Sequence, residues 1–316
     1  MKKIDRIIPK FARDLAKLHC MDSEPEFNAN VRDYLLSAFS IPIQATNELL
    51  NPEILKDRVA ELVQGLGKET VDLIFENCMK DYKTPKGLIH NDTHVFNILV
   101  EKKPDINSLE EFAERGKYAL CDWEMAISGP LGHDVGLFFS FPIACVLAHG
   151  FNGHKEVADT ILDILDHFWV EYSLALMNEG AHNDQYLYET YRSSVGWAGY
   201  FLYVVLFHAN VMVEHLPLCQ AHVTHVTESI GCIGLQLMNI AFGNFIVDTS
   251  LDSLRSLFRT TIDVEVARLV PRKPLRNRRS STFRASGRRF SDASSVYASL
   301  NSRGSFITSI SGMKSL

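Results

Sequence analysis

Paired cysteines are missing from this sequence. Its six cysteines, Cys20, Cys78, Cys121, Cys145, Cys219 and Cys232, are scattered singly over 316 residues, which argues against a disulfide framework and suits reduced thiols in a cytosolic-type compartment. The opening MKKIDRIIPKFARDLAKLHC lacks the apolar centre of a secretory signal, because charges interrupt every apolar run. One uncharged run, VGWAGYFLYVVLFHANVMV at 195–213, just reaches the length of a membrane span. His208 and Asn210 lie inside it and no Lys/Arg cluster flanks it, so it reads as a buried core helix. Neither an internal repeat nor a strand–helix alternation is evident. GLGKET at 65–70 lacks the first glycine of a phosphate-binding P-loop, with Leu62 standing in its place. Gly65 and Gly67 read instead as a helix end and an inter-helix turn.

What is present is globular material with a different segment attached. The chain is 46% hydrophobic and 22% charged, which excludes fibrous and wholly disordered classes. The net charge of −6 hides two opposite bodies: residues 268–316 hold eleven Lys/Arg and one acid, so +10, which leaves −16 on the other 267 residues. Residues 268–316 also hold twelve serines and few aliphatic side chains, so a disordered basic tail is expected there. Arg278-Arg279-Ser280-Ser281 and Arg288-Arg289-Phe290-Ser291 look like the Arg-Arg-x-Ser pattern that basophilic protein kinases modify. At about 1 kcal/mol per basic residue the same tail suits an anionic membrane surface, an attraction that phosphorylation would cancel. No nucleic-acid partner is expected, and the expected location is cytoplasmic.

The periodicity predicts an almost wholly helical first eighty residues. Ile4, Ile7, Ile8, Phe11, Leu15 and Leu18 recur at helical spacing, and helical patterns continue through 28–39, 51–66 and 68–82, with Asn51 and Pro52 placed as a helix start. Two short apolar runs, NILV and YALCDW, flank the charged insert EKKPDINSLEEFAERGK at 101–117, the pattern of a hairpin with an elaborated loop. GPLGHDVGLFF at 129–139 reads as a glycine-punctuated turn entering an apolar helix, and helical text fills 154–245. A connecting helix is expected over 251–267.

The chemistry concentrates in GLIHNDTHVFNILV at 87–100, which sets His90, Asp92, His94 and Asn97 directly before a strand. A carboxylate there, an amide five residues on and an acidic pair, Asp122 and Glu124, after the next strand suit metal-assisted phosphoryl transfer. One carboxylate orients or deprotonates a hydroxyl, and hard oxygen ligands hold a magnesium ion that bridges phosphates. His90 and His94 read as structural. Against a zinc site at His215, Cys219, His222 and His225 stands Pro217, which interrupts the helical spacing.

HNDTHVFN resembles the catalytic loop H-G-D-x-H-x-x-N of the aminoglycoside phosphotransferase and choline kinase superfamily. CDWEMAISGPLGHDVG resembles the segment D-x-E-x-x-x-x-G-P-x-G-x-D-[IV]-G of methylthioribose kinases, and FARDLAKLH the helix preceding this region in the same group. The likeness covers roughly residues 10–245. It implies an α+β, mainly α fold: the large lobe of the protein-kinase-like architecture over 1–250, with a short β-hairpin carrying the active site, a catalytic loop at 88–100 and a metal segment at 121–136. It implies ATP and Mg²⁺ as cofactors and a small-molecule hydroxyl, such as a methylthioribose-like sugar, an aminoglycoside or an amino alcohol, as acceptor. By position Asp92 matches the catalytic base, Asn97 and Asp122 match magnesium ligands, Glu124 completes the metal site, Asp134 braces the catalytic loop and His90 packs beneath it. No residue is assigned to the nucleotide.

The pattern is also departed from. Asn91 stands for the usual glycine, and Val204 and Val205 occupy the stretch where methylthioribose kinases carry an arginine pair. Only ten residues precede FARDLAKLH, where relatives have a small lobe with a glycine-rich loop and a lysine. The lobe is therefore expected to be missing, and the alternative is a catalytically inactive, pseudokinase-type binding module regulated through its tail.

Overall fold

The computed structural model describes residues 4–44, 57–100, 117–180, 183–210, 212–218, 223–243 and 250–269, all within one compact unit. The expected cap at Asn51 and Pro52, the insert from 101 to 116 and the basic tail beyond 269, with its expected partners, lie outside the described residues. Within them the chain is mostly helical with four three-residue strands.

Four helices come first: α1 (Ile4–His19), α2 (Ala29–Gln44), α3 (Asp57–Leu66) and α4 (Lys68–Tyr82). α3 and α4 are separated by Gly67 alone, at φ +79°, a left-handed turn that glycine enters without steric cost. Strand β1 (Gly87–Ile89) then leads into the polar knot, and β2 (Ile98–Val100) leaves it. β2 pairs antiparallel with β3 (Tyr118–Leu120), Ile98 opposite Leu120, as the two apolar runs flanking the charged insert predict. A second pair surrounds the first: β4 (Ile127–Gly129) runs antiparallel to β1, with Ile127 opposite Ile89. The two nested ladders bring the ends of 89–98 and 120–127 together.

α5 (Leu131–Phe151) follows and runs through the centre. Its length and composition would suit a membrane span, yet 83% of its most apolar window is buried inside the fold. An apolar surface all round is what a central core helix needs. α6 (Lys155–Glu179) packs against α1, where Phe11 meets Phe138 and Phe168 at ring distances of 5.2 and 5.8 Å. α7 (Asp184–Tyr200) starts on Asn183, whose side chain accepts from the Tyr186 N–H, satisfying one of the free amides at a helix start.

The uncharged run is largely core from Val195 to Phe207, whereas Ala209 and Asn210 are exposed, and it is not one straight helix. After Tyr200 the chain widens into a π-helical stretch, Phe201–His208, in which Leu202 and Tyr203 are fully buried. Non-glycine residues Asn210 and Met212 then take positive φ (52° and 65°) and close the run. Packing of α8 (Val223–Phe242) explains the close fit. A methyl group added at Gly199 would come within 2.5 Å of the Gly234 carbonyl, and one at Gly234 within 2.6 Å of the Tyr203 amide. The two backbones touch because neither position carries a side chain. Gly199→Ala is therefore expected to destabilise the fold by about 1–3 kcal/mol, read as a lower midpoint of urea unfolding.

α9 (Leu251–Leu269) is more than a connector. Leu254, Phe258, Ile262 and Val266 fall four residues apart on one buried stripe, and Val266 abuts Gly150 of α5.

Candidate active site

The centre of the polar knot is the Asp134 carboxylate, in the first turn of α5 and fully buried. Its two oxygens accept from backbone amides on the catalytic loop, Oδ2 from His90 N–H at 2.7 Å and Oδ1 from Asn91 N–H at 2.8 Å. His19 Nε2, at the end of α1, lies 3.1 Å from Oδ2, and the Thr93 hydroxyl donates to the Asp134 carbonyl at 2.7 Å. Burial alone would raise this carboxyl's pKa. The imidazoles of His133 and His19 more than reverse that, holding it well below the ordinary carboxylate range, and two backbone N–H donors favour the charged form in the same sense. His133 acts by proximity: its Nδ1 stands 3.9 Å away, and both ring nitrogens lack a hydrogen-bond partner among packed rings of Trp197, Tyr82 and Phe201.

Asn91 sits at φ +68°, the left-handed conformation that asparagine tolerates. Its side chain is committed at both ends, accepting from the Tyr82 hydroxyl at 3.0 Å and donating to the Met125 carbonyl at 3.0 Å. An asparagine here thus ties the turn to the Trp123–Met125 segment ahead of β4 and to α4, which glycine could not. His90 is buried under the loop. Its Nδ1 accepts from the Asp92 N–H at 3.2 Å, its Nε2 donates to the Cys121 carbonyl at 2.8 Å, and its ring meets Trp123 edge-on at 4.6 Å.

Asp92 and Asn97 are brought into direct contact. Asn97 Nδ2 donates to both the Asp92 side chain and the Asp92 carbonyl, each at 2.9 Å. This folds residues 92–97 into a closed turn, tightened by a single 3-10 turn at Val95–Asn97. His94 Nε2 lies 3.5 Å from the other Asp92 oxygen. The Asp92 pKa is raised: burial pushes it up, and the attraction of His94 and the Asn97 hydrogen bond offset only part of that. Asn97 also reaches the neighbouring strand, its carbonyl accepting from the Cys121 N–H at 3.0 Å and from Cys121 Sγ at 3.3 Å.

Asp122 follows Cys121 directly, at φ +64° and ψ 57°, and opens a 3-10 turn over Trp123–Met125. Asp122 and Glu124 are both exposed. A non-glycine residue held left-handed commonly marks a constrained functional turn. Backbone pairing thus puts Asp122 one residue from the partner of Asn97. Among the described residues no three His, Cys, Asp or Glu side chains converge into a metal cage. That arrangement still fits magnesium, which is held by one or two carboxylates plus water and phosphate oxygens rather than by an all-protein cage. With Asn97 Nδ2 turned to Asp92, the amide oxygen is the atom left for an ion.

Of the four residues weighed for zinc, Cys219 and His222 lie outside the described residues. His215 and His225 are engaged with rings, His215 on Phe96 at 5.0 Å and His225 on Phe151 at 6.2 Å. Three supports of the loop escaped the sequence reading: His19, Thr93 and Tyr82. The first closes the FARDLAKLH stretch, and its position at a helix end was the only available signal.

Residues 1–152 match the family model of the phosphotransferase enzyme family, APH. The matched part holds both the catalytic loop and the segment from Cys121 to Gly136. No curated protein matches the chain. The match supports the resemblance to the aminoglycoside phosphotransferase and choline kinase superfamily, and with it a phosphotransferase acting on small molecules.

Proposed function

We propose that the chain transfers the terminal phosphoryl group of ATP, with Mg²⁺, to a hydroxyl of a small molecule. The observation that carries this is the Asp92–Asn97 clamp, with Asn97 joined through Cys121 to the left-handed Asp122. Asp92, whose basicity burial increases, orients the acceptor hydroxyl and takes its proton. Asn97 and Asp122 hold the ion, and Glu124 completes its surroundings. When bound, the ion neutralises charge on the phosphates. Catalysis of this kind rests on positioning and electrostatics, and Asp134 and His90 supply the positioning by fixing the loop backbone.

The acceptor carries no phosphate or carboxylate of its own. The loop at 87–101 and the stretch 118–154 contain no Lys or Arg, while Asp92, Asp122 and Glu124 are acidic; Lys10 of α1 lies over the Tyr118 ring. A neutral polyol or an amine-bearing alcohol fits that field, and an anionic sugar does not. The same shortage of cations to hold ATP phosphates favours a second reading, a non-catalytic binding module.

The test is turnover of ATP by the purified full chain with a panel of sugars, amino alcohols and aminoglycosides, with and without Mg²⁺. Magnesium-dependent ADP formation that needs one acceptor class supports transfer. Binding without turnover selects the module. Asn97→Ala is expected to raise the Mg²⁺ concentration for half-maximal rate by at least the about 10- to 100-fold seen when a metal ligand loses its support.

A further inference from the structure

The Asp134 carboxylate is held from a third side by a chain of hydrogen bonds that runs away from the catalytic loop into the core. The Tyr172 hydroxyl, in α6, lies 2.6 Å from His19 Nδ1, and His19 Nε2 lies 3.1 Å from Asp134 Oδ2. All three groups are buried. Burial, with Tyr186 and Asp134 adding to it, keeps the Tyr172 phenol protonated far above its usual range. The phenol therefore donates to Nδ1, which leaves the imidazole proton on Nε2, aimed at Asp134. Each link points the same way, toward the carboxylate that accepts the His90 and Asn91 amides.

We propose that Tyr172 is a positioning residue for the catalytic loop, acting through His19 and Asp134 from the second helix after the loop, α6. Without its hydroxyl, His19 is free to take the other tautomer, present a lone pair to a carboxylate and turn away. Asp134 then loses one of the three donors to its carboxylate and holds the two loop amides less firmly. Asp92 is the residue after Asn91, so slack at 90–91 reaches the carboxylate that acts on the acceptor. The ring itself has a separate structural task, lying 5.9 Å from Phe168 and stacked at 11°, which phenylalanine would preserve.

The kinetic half of this inference rests on the phosphotransferase reading; the structural half does not. Tyr172→Phe in the full chain is to be examined by amide hydrogen exchange and by steady-state kinetics. The expected result is about 3- to 10-fold less protection at the His90 and Asn91 amides, the worth of one buried hydrogen bond, with amides in α9 unchanged. Alongside it kcat falls several-fold while the KM for ATP holds. Unchanged protection at the two amides overturns the relay. So does an equal loss along the whole chain, which marks Tyr172 as a packing residue only, and so does a loosened loop with an unaltered kcat. A wild-type chain that turns over no ATP with any acceptor sinks the phosphotransferase reading instead, and exchange at the two amides still decides the relay.

Discussion

Replacing Asp92 with asparagine is expected to lower kcat by about 10²- to 10⁴-fold, the usual worth of a positioned acid or base, while leaving the fold as stable as before or more so. The two halves of this expectation have one cause. The Asp92 pKa is raised, by burial first, against the pull of His94 and Asn97. A carboxyl whose pKa is higher folded than unfolded binds its proton more readily in the folded state. In the metal-free chain its ionised form therefore costs stability at neutral pH, and the cost fades as pH falls through the raised value. Asparagine removes the charge and keeps an oxygen to accept from Asn97 Nδ2. Thermal melting of the metal-free variant at or above the wild-type temperature, together with lost turnover, marks Asp92 as a residue kept for chemistry. A large drop in melting temperature would mark it as a structural turn residue.

Asp134 should behave in the opposite way. Asp134→Ala strands the His90 and Asn91 amides and His19 in the core, and breaking a buried charged network of this kind typically costs about 3–5 kcal/mol. Against a typical total of about 5–15 kcal/mol, that is enough to leave much of the protein unfolded at physiological temperature. The direction of its pKa adds a pH signature. A carboxyl lowered in the folded state contributes stability that is present above the unfolded value and is lost as pH falls through the folded one. Urea unfolding from neutral pH down to pH ~3 and below, past the ordinary carboxylate range, should show wild-type stability falling steeply at the acid end. The alanine variant, already weak at neutral pH, should lack that component. Equal acid sensitivity in both would mean that Asp134 is not the titrating brace.

Several elements could be read from local pattern because local physics fixes them. The 98–100 and 118–120 strands lie in two apolar runs either side of a charged insert, and they pair. Gly67 separates two helical periodicities and takes the left-handed turn. Asn91 was tolerable where glycine is usual, and it adopts φ +68°. The β1–β4 ladder was not legible. Each strand is three residues, too short for a period-2 signal, and each is defined by a partner some forty positions away. The π-helical turn at 201–208 looks like ordinary helix in its hydropathy. Its close approach to α8, Gly234 against the Tyr203 amide, is a packing contact that no single segment records.

The candidate site divides along the same line. Asp92 and Asn97 lie five residues apart and a closed turn joins them, so their closeness could be anticipated from spacing. Asp122 could be placed only by supposing the hairpin, whose Asn97–Cys121 hydrogen bond sets its position. His19 and Tyr172 were out of reach because their partners come from α1, α5 and α6. Such contacts are a product of packing. A histidine ending a helix is common, and nothing in its neighbours announces a buried carboxylate across the core.

The most direct test of the central claim is to follow phosphorus by NMR while the full chain is incubated with ATP, Mg²⁺ and each acceptor class in turn. The account predicts that the γ-phosphate signal of ATP gives way to ADP and a new phosphomonoester, with a neutral or amine-bearing alcohol as acceptor, and that the Asp92→Asn chain forms that product far more slowly. A phosphomonoester formed equally fast by the Asp92→Asn chain would contradict the account, as would wild-type protein that forms none with any acceptor.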